Sequence, residues 1–334
     1  LRIREAAERL KTTPRTLRFY EEKGLLTPEK CPENGYRIYS MRDLYRLQTI
    51  LTLRETGMPL ERIREVLHEL DRGNREEPLW FLQLQRAVLY GEWLRLKRVI
   101  QTLDDMIERM ETEQDPWNDL WRLAEQSRRA ERERESWRDV WNFDRLAEHF
   151  DTWTAEWSVP YDDALDRVVE TVMPLPGETG LEIGTGTGNL AGRFLDRGIR
   201  MCAIDQSREM LRVCRRKFPD LTALPGNFLA IPWPDGVFDF AVSSFTLHWL
   251  TDDQKELGLD EIRRVLKPGG RICLLDVMET EETPFPALSG AVRFPARISR
   301  LTAALKRRGF EVTAFRLVND LHVVFARDAS VRRP

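Results

Sequence analysis

Three glycines alternate with threonines in Gly184-Thr185-Gly186-Thr187-Gly188, and Glu182 stands two residues ahead of the first. The apolar run Thr179–Ile183 leads into them, and a helical pattern over Asn189–Leu195 follows. The loop therefore joins a strand to a helix, and its glycines let the main chain approach a ligand where a side chain would collide. A second apolar run, Ile199–Ile204, ends in Asp205, 21 positions beyond Gly184. A carboxylate so placed in a βαβ unit can accept hydrogen bonds from two ribose hydroxyls. The spacing is GxGxG rather than the GxGxxG of a nicotinamide-binding loop. The chemistry is that of holding a nucleoside-bearing cofactor.

The elements around this loop repeat the same alternation. Asp205-Gln206-Ser207 opens a helix containing Met210 and Leu211, and a third strand precedes Gly226-Asn227-Phe228. The fourth strand is Phe238–Ser244, and Glu261–Gly270 turns into a fifth at Arg271–Val277. A closing hairpin fits Val312–Leu317 and Leu321–Ala326, and residues 328–334 read as a frayed tail. Strands alternating with helices give a parallel α/β sheet.

This pattern resembles the class I S-adenosylmethionine-dependent methyltransferases, the small-molecule branch in particular, over about residues 141–327. The resemblance implies that Glu182, Gly184, Thr185, Gly186 and Gly188 hold the methionine part. It places the ribose on Asp205, with Gln206 and Met210 close by, and the adenine between Asn227 and Phe228. S-adenosylhomocysteine would be the product. Relatives usually carry Asp where Asn227 stands, although an Asn carbonyl can still accept from an amine. His248, in Phe245-Thr246-Leu247-His248-Trp249, is the histidine nearest an active-site lip. It serves either as a general base or as packing at a helix start. DNA methylation is disfavoured. Ser243-Ser244-Phe245-Thr246 replaces the Asn/Asp-Pro-Pro-aromatic motif of amino methyltransferases of DNA, and Cys273 lies inside a strand rather than in a Pro-Cys nucleophile.

The first 77 residues have a different character. Ile3, Ala6, Ala7 and Leu10 are spaced for a short helix, and Thr13-Pro14 then supplies an N-cap and first position for a second helix ending near Gly24. Asn34-Gly35 is a hairpin turn within Pro32–Tyr39, and Ser40-Met41-Arg42-Asp43 opens a third helix as a capping box. Pro59 starts a fourth. Residues 2–70 closely resemble the MerR family of transcription regulators through Thr16-Leu17-Arg18-Phe19-Tyr20-Glu21, Gly24-Leu25-Leu26 and Gly35-Tyr36-Arg37-Ile38-Tyr39. The resemblance implies a winged helix-turn-helix whose second helix enters the major groove of promoter DNA. Arg15, Thr16, Arg18 and Tyr20 are the expected contacts of that helix, and Tyr36, Arg37 and Tyr39 those of the wing.

Between the two lies a helix over 78–112. Leu89, Trp93, Leu96, Ile100, Leu103, Ile107 and Met110 follow one another at alternating steps of four and three. That is a coiled-coil seam or one amphipathic helix docked on its own domain. MerR relatives dimerise at this position, which implies a homodimer on a near-palindromic site, with RNA polymerase at the same promoter. Residues 113–140 form a charged helical connector with acid and base interleaved. Six of the ten tryptophans fall between 117 and 157. Trp141, Phe150, Trp153, Trp157 and Tyr161 are candidates for a substrate lid, or equally for packing between domains.

Composition bounds the rest. The chain has 334 residues, 42% of them hydrophobic and 32% charged, with a net charge of −3. No bulk positive field marks a nucleic-acid partner, so DNA binding must come from local cations. No apolar run spans a membrane and no signal-peptide pattern opens the chain, so a cytoplasmic setting is expected. Cys31, Cys202, Cys214 and Cys273 stand far apart, as do His68, His149, His248 and His322, so neither disulfide nor metal site is expected. The architecture expected is an α+β multidomain chain: winged helix-turn-helix at 1–77, dimer helix at 78–112, connector at 113–140 and Rossmann-like methyltransferase at 141–334. The function expected is regulation of transcription with a C-terminal domain that binds S-adenosylmethionine and methylates a small molecule. Its alternative is a catalytically silent methyltransferase fold that senses the cofactor, its product or a hydrophobic ligand.

Overall fold

The computed structural model describes residues 1–112, 117–136, 143–155, 160–280 and 294–330. Two compact units emerge, Leu1–Leu89 and Tyr90–Pro334. The first holds α1 (Ile3–Arg9), α2 (Pro14–Glu22), the wing strands β1 (Glu29–Lys30) and β2 (Arg37–Ile38), α3 (Met41–Glu55) and α4 (Leu60–Asp71). Local chemistry sets its boundaries. Thr13 caps α2 by accepting from the Thr16 N–H, with Pro14 at the first position. Ser40 and Asp43 form the capping box of α3. Gly35 carries the wing turn at φ +69°, and β1 pairs antiparallel with β2. Leu17, Leu47, Ile50 and Ile63 form the fully buried centre.

Helix α5 (Glu76–Thr112) begins in the first unit and ends in the second. In the first, Phe81 packs on the core and Gln85 donates to the Thr56 carbonyl at 2.6 Å. In the second, Leu94 is buried, Lys97 pairs with Asp235, and the Arg264 guanidinium lies 5.6 Å from the Trp93 ring centre. Trp93 is thus engaged within its own unit. Leu96, Ile100, Leu103, Ile107 and Met110 are exposed.

The second unit continues with α6 (Trp117–Ser136), α7 (Phe143–Leu146), a single 3-10 turn at Ala147–His149, α8 (Phe150–Ala155) and α9 (Tyr161–Val172). The α/β core follows: β3 (Thr179–Ile183), α10 (Asn189–Leu195), β4 (Arg200–Asp205), α11 (Arg208–Lys217), β5 (Thr222–Pro225), β6 (Phe238–Ser244), α12 (Asp252–Val265) and β7 (Leu266–Glu279). It closes with β8 (Ala296–Arg297), α13 (Ile298–Arg307), β9 (Phe310–Val318) and β10 (Leu321–Asp328). The strand order is β5-β4-β3-β6-β7-β10-β9, and β8 pairs with β7. The first five run parallel, while β10 is antiparallel to β7 and to β9. Strand β7 starts earlier than its sequence pattern suggests, because Leu266 already pairs with Phe238 across a register shift. The winding reverses between β3 and β6, and open α/β sheets bind ligands at the carboxyl ends of strands beside such a reversal. The glycine loop leaves β3 there.

Candidate functional site

Three glycines of one loop do three jobs. A Cβ at Gly184 would lie 2.4 Å from Thr246 Cγ2, and one at Gly188 would lie 2.8 Å from Cys214 Sγ. Both therefore permit close packing, of the β6–α12 loop in one case and of α11 in the other. Gly186, at φ +54°, would meet nothing nearer than Phe150 Cε1 at 3.8 Å and Met210 Sδ at 4.0 Å. It faces a cradle walled by those two side chains.

The loop is tied down from below. Glu182 is buried at 1% exposure, and one of its oxygens accepts from Thr185 Oγ1 at 2.7 Å and from the Ala191 N–H at 2.9 Å. Burial pushes its carboxyl up to about 8, more than these two hydrogen bonds lower it. Asp205 accepts from the Gly186 N–H at 2.8 Å through one oxygen and from the Ser207 N–H at 2.9 Å through the other.

Of the expected adenine residues, the structure corrects two. Phe228 is in the hydrophobic core, packed against Gly258, rather than open on a cofactor face. The Asn227 carbonyl oxygen accepts from the N–H groups of Leu229 and Ala230, which commits it to its own turn. Met210 is buried, with Sδ 4.0 Å from where a Cβ on Gly186 would stand. Gln206 Oε1 is buried with no hydrogen-bond partner among the described residues.

His248 is 6% exposed, with Nδ1 2.6 Å from Asp276 Oδ1 at the carboxyl end of β7. The His248 backbone N–H donates to the other Asp276 oxygen at 3.2 Å, and the imidazole lies against the Trp249 ring. The histidine is a buried member of a His–Asp pair rather than an open lip residue. Nothing in the sequence marked Asp276, because the partners are 28 residues apart and meet only through the sheet.

Among the lid candidates, Trp141 and Trp157 lie outside the described residues. Phe150 forms a wall of the cradle and touches Trp153 edge-on, while Tyr161 stacks on Phe245 at 5.5 Å. Phe143 meets Trp249 edge-on at 5.6 Å. The aromatic segment thus borders both the glycine loop and the turn after β6.

In the first unit, Arg15 and Arg18 are exposed on α2 and Thr16 is partly covered, its hydroxyl 2.9 Å from that of Thr13. Tyr36 is exposed on the wing. Tyr20 and Tyr39 are not surface residues. Both are buried in the core, and burial is the leading cause that raises each phenol above its usual range. The Tyr39 hydroxyl donates to Glu21, and Arg37 pairs with the same carboxylate. Glu21, unsuspected from its charge alone, joins the wing to α2.

A family model for the MerR HTH family regulatory proteins matches residues 1–70, and one for a methyltransferase domain matches residues 181–274. An uncharacterized methyltransferase of Geobacillus kaustophilus is 32% identical over 147 residues, covering 43% of this chain and 68% of that protein. One from Oceanobacillus iheyensis is 31% identical over 142 residues, covering 38% of this chain and 67% of its own length. A solved TehB-like SAM-dependent methyltransferase from Corynebacterium glutamicum aligns at 20% identity and a TM-score of 0.45, over 57% of this chain and 100% of that one. The chain belongs to the methyltransferase family and carries, ahead of that domain, a DNA-binding helix-turn-helix of the MerR family.

A methyltransferase domain implies S-adenosylmethionine as methyl donor, and the residues present fit it. The Gly186 cradle is lined by a thioether and an aromatic ring, and the buried Gln206 acceptor beside Asp205 calls for a donor such as a nucleoside hydroxyl or amine. Among the described residues no cluster of His, Cys, Asp or Glu suits a metal ion, and no helix is long and apolar enough to cross a membrane.

Proposed function

We propose that this chain is a homodimeric transcription regulator whose second unit binds S-adenosylmethionine and methylates a small molecule, releasing S-adenosylhomocysteine. The observation that carries the reading is the cradle at Gly186, beside the Asp205 carboxylate and the unpartnered Gln206 carbonyl. The cofactor supplies an electrophilic methyl group, so the protein's part is to position the acceptor and exclude water. Gly184, Gly186 and Gly188 admit the methionine end, Asp205 and Gln206 accept from the nucleoside, and Phe150 covers the loop. Where the acceptor must lose a proton, His248 is the base, held by Asp276 with Nδ1–H toward the carboxylate. The burial of His248 favours the second reading, a silent methyltransferase fold used as a sensor.

The exposed seam from Leu96 to Met110 supports pairing of two copies through α5, and hence a near-palindromic DNA site with RNA polymerase at the same promoter. The reading also places the protein in the cytoplasm. Calorimetric titration with S-adenosylmethionine and with S-adenosylhomocysteine tests it. Binding of either, with methyl transfer to a small-molecule extract, is the expected result; no binding at millimolar ligand overturns it. Binding without transfer selects the sensor.

For the DNA-binding unit, Arg18→Ala is expected to weaken binding to a duplex enriched from a random library by about tenfold, equivalent to one lost phosphate or base contact. Wild-type affinity in a mobility assay would remove α2 from the groove.

A further inference from the structure

The segment Phe143–Ala155 is a strap with two matched faces. Phe143, Leu146, Ala147 and Phe150 pack on Met210 and Val213 of α11. Asp144, Glu148 and Asp151 follow at steps of four and three, which puts three carboxylates on one flank of a helical path. Each has its own seat. Asp144 accepts from Ser207 Oγ at 2.5 Å and from the Glu209 N–H at 3.2 Å, capping α11. Glu148 pairs with Arg212 and with Arg216.

Asp151 reaches the glycine loop. One oxygen accepts from Thr187 Oγ1 at 2.6 Å and from Asn189 Nδ2 at 2.9 Å; the other accepts from Lys217 Nζ at 2.5 Å. Lys217 closes the network by donating to Asn189 Oδ1 at 2.5 Å. Burial works to raise the Asp151 carboxyl, but the hydrogen bonds from Lys217, Thr187 and Asn189 outweigh it and hold it low. Thr187 is buried and Asn189 begins α10, so this one carboxylate fixes both sides of Gly188. Its chain neighbour Phe150 is the ring over Gly186.

We propose that Asp151 is a positioning residue for the cofactor loop and the latch of the strap above it, so that cofactor enters and leaves only when the Asp151–Lys217 network opens. The proposal rests on the reading of the Gly186 cradle as the S-adenosylmethionine site. Because the latch lies beside the cradle and not in it, breaking it accelerates both entry and exit.

The test is stopped-flow binding of S-adenosylhomocysteine to the full chain, comparing wild type with Asp151→Asn and Lys217→Gln. Each variant is expected to raise both the association and the dissociation rate by about tenfold, with the equilibrium constant changing much less. A purely structural role would lower the melting temperature and weaken affinity without raising the association rate. Should Asp151→Asn fail to fold, Lys217→Gln breaks the same network from α11 and decides the matter alone. Wild-type rates in a folded variant overturn the latch and leave the cradle standing. Absence of binding to the wild type overturns both.

Discussion

Gly186→Arg is expected to lower the affinity for S-adenosylmethionine by at least about 100-fold while leaving DNA affinity within about twofold. A hundredfold loss corresponds to about 2.8 kcal/mol, and two effects contribute to it. The residue also sits at φ +54°, where an L side chain is strained by about 1 kcal/mol or more, a cost that falls on stability and not on affinity. Beyond that strain, a Cβ would make only ordinary contacts with Phe150 and Met210, so the rest of the arginine is directed at the space those two side chains border. There the guanidinium stands close to Asp205, whose oxygen accepts from the Gly186 N–H, and competes for the carboxylate that a ribose would use. Arg15, Arg18 and the wing residues proposed to contact DNA are in the other compact unit, so DNA affinity is expected to be unchanged. Gly184→Ala is the contrasting control. Its Cβ would meet Thr246 at 2.4 Å, so that variant loses stability instead of selectively losing ligand. Calorimetry for the cofactor, a mobility assay for DNA and a melting curve separate the outcomes. Unchanged cofactor affinity for Gly186→Arg would remove the site from this loop.

Which features were legible in the sequence follows from how local their physics is. The Thr13-Pro14 cap, the Ser40–Asp43 box and the Asn34-Gly35 turn are each settled within four residues, and the structure reproduces them. The glycine loop and Asp205 were legible because a βαβ unit fixes their separation. Tyr20 and Tyr39 are buried where surface contacts are expected, because a phenol suits both a core and a phosphate. Leu17 and Tyr20 stand three apart on a nine-residue helix, so they share a face, and burial of one entails burial of the other. Phe228 follows the same logic, since its position opposite Gly258 was invisible before α12 was placed. The pairs His248–Asp276 and Asp151–Thr187 are separated by 28 and 36 residues. Such pairs depend on strand order and on where the strap docks. The spacing of Asp144, Glu148 and Asp151 did carry a signal, but only their partners on α11 and in the loop give it meaning.

Glu182→Gln is expected to remove a loss of stability that the second unit suffers as pH rises. The wild-type carboxyl is raised by burial to about 8, against a value of 4.5 in an exposed chain. The folded state therefore holds this proton more tightly than the unfolded state does. Below pH 4.5 the carboxyl is neutral in both states and costs nothing. As pH climbs from 4.5 to about 8, the unfolded chain gains by ionising and the folded one does not, so wild-type stability falls through that window and levels off above it. The full penalty is on the order of several kcal/mol. Glutamine never ionises, yet its carbonyl can still accept from Thr185 Oγ1 and the Ala191 N–H. The variant should melt at or slightly below wild type at pH 5 and at least about 4 °C above it at pH 9, since about 1 kcal/mol moves a unit of this size by 2–4 °C. Comparing the two proteins at each pH cancels every other titrating group. An equal gap at pH 5 and pH 9 would mean that Glu182 ionises as an ordinary carboxylate. A widening gap would mean that the glycine loop is anchored from below by a protonated acid, which can donate as well as accept.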